Sequence, residues 1–143
     1  MRLTRTLGRP TGRQRRERGQ AALEFVLVLP LVLIMLFLVA EGTMMLQTWL
    51  TLEHASREGA RFAAVGNTQT DVINRTVDRS GGLLTSSNVT VTNAKGTPGT
   101  TVTVRVSYTY NYKFPLVGLL SLISGGTIPT TATMGAHTDM RLE

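Results

Sequence analysis

The feature that most constrains this chain is a long apolar run from residue 21 to residue 40, broken only by Glu24 and Pro30. As an α-helix, a run of this length extends about 30 Å, which matches the hydrocarbon core of a membrane. An acid inside such a segment is costly to place in lipid, so Glu24 requires a specific reason. The sequence therefore predicts a membrane-spanning helix that carries one unusual carboxylate.

The formal net charge of +6 is confined to the first 19 residues, which hold seven arginines and one glutamate. From residue 20 onward, the eight basic and eight acidic side chains cancel. This distribution argues against a nucleic-acid partner, because nucleic-acid binding needs a basic face on the folded body. The arginines precede the apolar run, and residues 41–49 hold no Lys or Arg. The positive-inside rule therefore predicts a protein of the cytoplasmic membrane, with its N-terminus in the cytoplasm and its C-terminal domain outside.

A conventional cleaved signal peptide is one alternative for the apolar run. Such peptides have an apolar core of about 7–15 residues and small residues before the cut. Here the core is longer, and a cut after Ala40 would place Leu38 at the −3 position. This pattern disfavours conventional cleavage, whereas an uncleaved signal anchor shares every feature except the meaning of Gly19 and Glu24.

The junction between the basic head and the apolar run carries a motif. Gly19 and Gln20, followed by Glu24 and Phe25, resemble the cleavage site of type IV prepilins and pseudopilins. The resemblance implies that a prepilin peptidase, a membrane aspartic peptidase, cuts after Gly19 on the cytoplasmic side. Glu24 then becomes the fifth residue of the mature chain. Glu24 and Phe25 are implied to act in recruitment and register during assembly.

The physical chemistry of the junction agrees with this interpretation. Cleavage would leave an α-ammonium group on Gln20, one helical turn from Glu24 or within reach of an adjacent subunit. A desolvated carboxylate is tolerable when it is paired with such a charge. The alternative is that Glu24 lies at the level of the lipid headgroups near Arg18 and has no special role.

Residues 53–65 extend the resemblance. They are similar to the segment that follows the membrane helix in the TadE-like family, whose members are minor pseudopilins of tight-adherence (Flp-type) pilus assembly systems. Together the two matches cover about residues 15–66. They imply a non-enzymatic subunit concerned with cell adhesion and secretion-system assembly. Its implied partners are the membrane, the prepilin peptidase, other pilin-like subunits and the pilus assembly machinery.

Small residues recur on one side of the helical segment that follows the apolar run. Small side chains allow another helix or a sheet to approach the backbone closely. The pattern predicts a packing face, either for the chain's own outer domain or for neighbouring subunits. Its members are Ala55, Ser56, Gly59, Ala60 and Ala63.

The remainder of the chain has the pattern of a short helix and a small sheet. Residues 70–79 show a helical stripe, and residues 101–113 alternate strictly, with three valines and three tyrosines on one face. Residues 88–93 and the turn cluster at 95–99 complete a predicted hairpin, and residues 128–136 a third strand. The expected class is α+β: a long transmembrane helix that continues outside, a short helix and an antiparallel sheet of about three strands.

A second apolar stretch, residues 114–123, is too short to span a membrane. It is either a short buried helix or an exposed segment that contacts a partner or the membrane surface. The sequence leaves this choice open.

The expected organisation is a basic cytoplasmic leader (1–19), a transmembrane helix (20–42), its extracytoplasmic continuation (43–66) and a β-rich domain (67–143). The chain has no cysteine, and its two histidines have no ligand spacing. No catalytic or phosphate-binding motif is present. The sequence therefore predicts no enzyme activity, cofactor, metal or small-molecule substrate. The alternative function is an uncleaved, signal-anchored envelope protein whose β domain is a binding module.

Overall fold

A computed structural model describes residues 12–143, apart from the side chains of residues 12–18, 116, 119 and 120. The first eleven residues of the expected leader lie outside this range. The chain divides into two compact units, one that ends at Leu38 and one that comprises Val39–Glu143. Each unit is described by itself below.

Helix α1 comprises Gly12–Ala64. It begins earlier than the helix expected from residue 20, because the Arg, Gln and Glu residues at 13–18 are strong helix formers. It ends at Ala64, two residues before the expected end of its continuation at residue 66. Gly66 adopts a positive φ of 83° and donates its N–H to the Ala63 carbonyl oxygen at 3.0 Å. A left-handed glycine in this place is a common helix terminator, since it satisfies carbonyl groups that the last turn leaves open.

The first unit contains the apolar part of α1. The large aliphatic and aromatic side chains from Leu23 to Leu38 are exposed, and no residue of the most apolar window is buried within the structure. A contiguous apolar surface of this size is not stable in water. The helix is long and apolar enough to cross a membrane, so it can anchor the chain there.

The second unit begins with the rest of α1 and continues into helix α2, Gln69–Arg79. Thr68 caps α2, because its hydroxyl oxygen accepts a hydrogen bond from the Asp71 N–H at 3.2 Å. Val72 and Thr76 of the predicted stripe are fully buried. The short helix predicted at 70–79 is therefore confirmed.

The sheet has three antiparallel strands in the order β1-β2-β3. Strand β1 is Val89–Thr92, β2 is Thr101–Asn111, and β3 is Thr131–Arg141. The predicted alternation in β2 is confirmed, since every second residue faces the core. The buried apolar core joins α1, α2 and the sheet, and its fully buried members include Leu52, Val72, Val102, Val104 and Val106.

Two strand boundaries differ from the sequence-based expectation. Strand β3 is not 128–136 but extends to Arg141, because it pairs with β2 along the whole of that strand, from Asn111↔Thr131 to Thr101↔Arg141. Strand β2 ends two residues before Lys113, because the backbone N–H of Lys113 turns away to a side chain of α1. A nine-residue helix, α3 (Pro115–Ile123), follows and connects β2 to β3. The α+β class predicted from the sequence is confirmed.

Candidate functional site

The residues of the predicted processing and register site all lie within helix α1. Gly19, Gln20, Glu24 and Phe25 are exposed, Phe25 by 63%. The Gln20 Nε2 donates a hydrogen bond to Glu24 Oε1 at 3.3 Å. Side chains on a helix lean towards its N-terminus, so the Glu24 carboxylate points back to the turn that holds Gln20.

Gly19 is the weakest point of this part of the helix. A Cβ at Gly19 would meet no atom within 4 Å, so space does not require glycine there. Glycine inside a helix costs about 1 kcal/mol relative to alanine, which makes local unwinding easier at this residue than at its neighbours. The peptide bond after Gly19 lies within helix α1 rather than at its start.

The small residues of α1 pack against the sheet and α2 of the second unit. The Ser56 hydroxyl donates to the Val104 carbonyl oxygen at 3.2 Å and lies 2.8 Å from Thr138 Oγ1. A Cβ on Gly59 would overlap Thr76 Oγ1 of α2 and approach Val104 Cγ1 at 3.3 Å. In the single chain, these contacts cover the small-residue face of α1. All five members are buried: Ala55, Ser56, Gly59, Ala60 and Ala63.

A buried carboxylate at Glu41 is the centre of a polar cluster that the sequence analysis missed. Its Oε1 accepts a hydrogen bond from the Tyr110 hydroxyl at 2.7 Å. The backbone N–H of Lys113 donates to both carboxylate oxygens at 3.1 Å, and the Phe114 N–H donates to Oε2 at 2.9 Å. One side chain of α1 thus satisfies three donors at the end of β2. We call Glu41 with these three donors the Glu41 clamp.

Two features of the sequence could have indicated the clamp. Glu41 directly follows the apolar run, and no Lys or Arg within one or two helical turns can pair with it. The alternation of β2 places Tyr110 on the buried face, where a phenolic hydroxyl needs a partner. The two residues are 69 positions apart, so their pairing depends on tertiary structure.

The environment of Tyr110 raises its pKa to about 12, from an ordinary value of 10.0. Burial of the phenol contributes most, and the hydrogen bond to the Glu41 carboxylate and its negative charge add to it. All three effects favour the neutral phenol over the phenolate. Tyr110 therefore stays protonated and donates its hydrogen bond throughout the physiological pH range.

An ionic cluster joins α1 to α2 on the surface of the second unit. Arg75 Nη2 lies 2.8 Å from Glu58 Oε1, and Arg79 Nη2 lies 3.9 Å from the same oxygen. The hydrogen bond from Arg75 lowers the pKa of Glu58 below its usual value. The cluster is partly exposed, so it orients the two helices and contributes little stability. In residues 12–143 no group of three or more His, Cys, Asp or Glu side chains is placed to hold a metal ion.

The TadE-like protein family matches this chain over a segment that starts at the junction glycine. Residues 19–61 are a TadE-like segment. The match confirms the resemblance seen in the sequence, and it includes both the exposed apolar helix and the clamp residue Glu41. No curated protein and no solved structure matches the chain. The similarity to the TadE-like family links residues 19–61, less than half of the chain, to tight-adherence pilus assembly.

Proposed function

We propose that this chain is a minor pseudopilin, a non-enzymatic subunit that serves assembly of a tight-adherence pilus after a prepilin peptidase cuts it behind Gly19. The main support for the proposal is that the family match and the charge boundary begin at the same residue. The TadE-like match begins at Gly19, where the arginine-rich head meets the exposed apolar helix. A membrane anchor alone would not require a glycine at this junction or an acid five residues later.

The geometry of the junction is compatible with proteolysis. Gly19 and Gln20 are exposed, and the absence of a Cβ at Gly19 lets a peptidase approach the backbone closely. Unwinding one helical turn is required, and glycine lowers its cost by about 1 kcal/mol compared with alanine. The leader that is removed carries the whole net charge of the chain. The mature chain starting at Gln20 is therefore neutral apart from its termini.

The proposed role of Glu24 follows from the charge that cleavage creates. In the uncut chain its carboxylate accepts a hydrogen bond from the Gln20 amide, a neutral group. Cleavage replaces the peptide N–H of Gln20 with an α-ammonium group. A carboxylate and an ammonium group in lipid attract each other strongly, since little water screens them. Pairing between the ammonium group of one subunit and Glu24 of the next would set the axial register of an assembly.

The surfaces left for subunit contacts follow from the packing. The small-residue face of α1 is covered by the outer domain, so it is not available without rearrangement. The apolar helix around Phe25 is exposed along its length. We therefore assign subunit contacts to residues 20–42 in the membrane, with residues 43–66 and the β-rich domain 67–143 outside it. The N-terminus is cytoplasmic in this arrangement, as the arginine bias requires.

The first experiment tests processing with a matched pair of glycine variants. Gly19→Ala should retain the leader when the protein is expressed with an active prepilin peptidase, and pilus production should fall. Gly42→Ala is the control, because Gly42 is also a helical residue of α1 whose added Cβ would meet nothing within 4 Å. It should be cut as the wild type is. Equal cleavage and piliation of the Gly19→Ala chain would remove the main support for the proposal.

The second experiment separates register from processing. Glu24→Ala should still be cut after Gly19, because the scissile bond is unchanged, but it should fail to support piliation. Glu24→Gln keeps the size and hydrogen-bonding ability of the side chain and removes its charge, so it should fail as well. Normal pili with both variants would exclude the register role. A chain that is never cut in its host would favour the signal-anchored binding module instead.

A further inference from the structure

Helix α3 lies in the longest uncharged segment outside the apolar run. Residues 114–130 contain no Asp, Glu, Lys or Arg. Within this segment α3 is too short to cross a membrane, and its last two residues, Leu122 and Ile123, are 81% and 77% exposed. Neither of these two side chains is therefore part of the core.

The direction of strand β2 determines where α3 begins. The Val104 carbonyl oxygen in the first half of β2 accepts the hydrogen bond from Ser56, whereas Tyr110 near its end reaches Glu41. The distance from Ser56 to Glu41 along a helix is about 22 Å, and that from Val104 to Tyr110 along a strand is about 20 Å. Strand β2 therefore runs back along α1 and ends at the level of Glu41.

Hydrogen bonds hold both ends of the segment that contains α3 near Glu41. The Glu41 carboxylate binds the backbone N–H groups of Lys113 and Phe114, immediately before α3. On the return side, the Tyr112 N–H donates to the Thr130 carbonyl oxygen at 3.4 Å, one residue before β3 starts. Residues 113–130 thus form a segment between β2 and β3 whose two ends lie near Glu41. Glu41 is the first residue after the apolar run, which ends at Ala40.

We propose that α3 is an interfacial helix that lies in the lipid surface of the same membrane that α1 crosses, in the leaflet on the side of the β-rich domain. The Glu41 clamp fixes its start at the depth where the hydrocarbon ends. From there, an uncharged helix with Leu122 and Ile123 exposed enters the boundary between headgroups and acyl chains. The exposed Lys113, at the start of this segment, places its ammonium group among the headgroups. The inference rests on the membrane-spanning part of the proposed function, but it does not depend on cleavage or on pilus assembly.

The chain contains no cysteine, so single-cysteine variants of the full-length protein can be labelled without background. The fluorophore NBD, attached to Leu122→Cys, reports polarity through its emission wavelength in vesicles of phosphatidylcholine and phosphatidylglycerol. Lipids brominated along their acyl chains report contact with those chains by quenching. Thr90→Cys on β1 is the exposed control outside the segment, and Leu33→Cys is the control within the apolar run. All three positions are exposed, so the label does not disturb the core.

We expect the Leu122→Cys label to emit at a shorter wavelength than the Thr90→Cys label and to lose emission in brominated vesicles, while the Thr90→Cys label does not. Identical emission from positions 122 and 90, without quenching, would overturn the inference. A blue shift at position 122 without lipid quenching would also overturn it, because protein would then cover the helix. Quenching at Leu33→Cys but not at 122 would refute the interfacial helix alone. Lack of quenching at Leu33→Cys as well would refute the membrane span itself.

Discussion

Replacement of Glu41 by alanine should destabilise the second unit far more than replacement of another glutamate on the same helix. Glu41→Ala removes the carboxylate that accepts hydrogen bonds from the Tyr110 hydroxyl and from the backbone N–H groups of Lys113 and Phe114. The three donors lose their partner together. The clamp should then open, and the end of β2 should no longer be held against α1.

The size of the expected destabilisation depends on whether water can replace Glu41 as the partner of each donor. Tyr110 is only 2% exposed, so its hydroxyl stays buried and unpaired, which costs about 1–3 kcal/mol. Lys113 is exposed and Phe114 half-buried, so their N–H groups can bind water, and each lost bond costs about 0.5–1.5 kcal/mol. The expected loss in the free energy of unfolding is therefore about 2–4 kcal/mol, because such contributions are not fully additive.

The assay is urea unfolding of the full chain in detergent, followed by near-ultraviolet circular dichroism of Trp49 and the tyrosines. Glu53→Ala is the matched control, since Glu53 on α1 forms an exposed ion pair with Arg57 at 2.9 Å. Its loss should cost at most about 0.5 kcal/mol. Glu41→Ala should also cost less in a Tyr110→Phe background, where no hydroxyl is left unpaired. The reasoning is refuted if Glu41→Ala and Glu53→Ala unfold at the same urea concentration.

Three further predictions concern the packing of α1, the titration of Tyr110 and the exchange of the clamp amides. Gly59→Ala should destabilise the second unit by about 1–3 kcal/mol, because the added Cβ overlaps Thr76 Oγ1. Gly42→Ala should instead stabilise α1 by about 0.5–1 kcal/mol, because its added Cβ meets no atom. Equal midpoints of urea unfolding for the two variants would contradict this prediction. The pKa of Tyr110 is raised in the folded state to about 12 from 10.0, so its contribution to stability is complete below pH 10 and is lost as the pH rises to about 12. Spectrophotometric titration at the phenolate band should show one late tyrosine that Tyr110→Phe removes, and its persistence in that variant would exclude the assignment. Amide hydrogen exchange at Lys113 and Phe114 should be slow in the wild type and fast in Glu41→Ala, and unchanged protection would show that the clamp does not hold this segment.

The parts of the fold that the sequence predicted well are those set by local periodicity. The alternation in residues 101–113 indicated strand β2 and its buried face, because side chains in a strand point to opposite sides at every step. Val72 and Thr76 are four residues apart and lie on one side of a helix, so their spacing indicated α2. These patterns depend on neighbours in the sequence and not on partners elsewhere.

The features that the sequence did not predict depend on distant partners. The end of β2 and the limits of β3 are decided by the Glu41 clamp and by strand pairing, both of which join residues far apart in the chain. The fate of residues 114–123 stayed open, since an apolar stretch of that length suits a core or a surface equally. Only the tertiary structure shows that Leu122 and Ile123 are exposed. The start of α1 at Gly12 was not predicted, because helix propensity is a weak signal compared with the change from charged to apolar residues near residue 20.

The junction motif was visible in the sequence because it is contiguous. Gly19, Gln20, Glu24 and Phe25 lie within seven residues, and the structure adds the hydrogen bond between Gln20 and Glu24 at 3.3 Å. The ammonium group proposed to pair with Glu24 exists only after cleavage. Its contribution therefore has to be measured on the processed protein.

The most direct test of the proposed function is the intact mass of the protein extracted from the membranes of its native host while the prepilin peptidase is active. The account predicts a chain that begins at Gln20 and lacks the 19 residues of the leader. A mass that still includes the arginine-rich leader would contradict the account, because Glu24 would then have no new positive charge to bind.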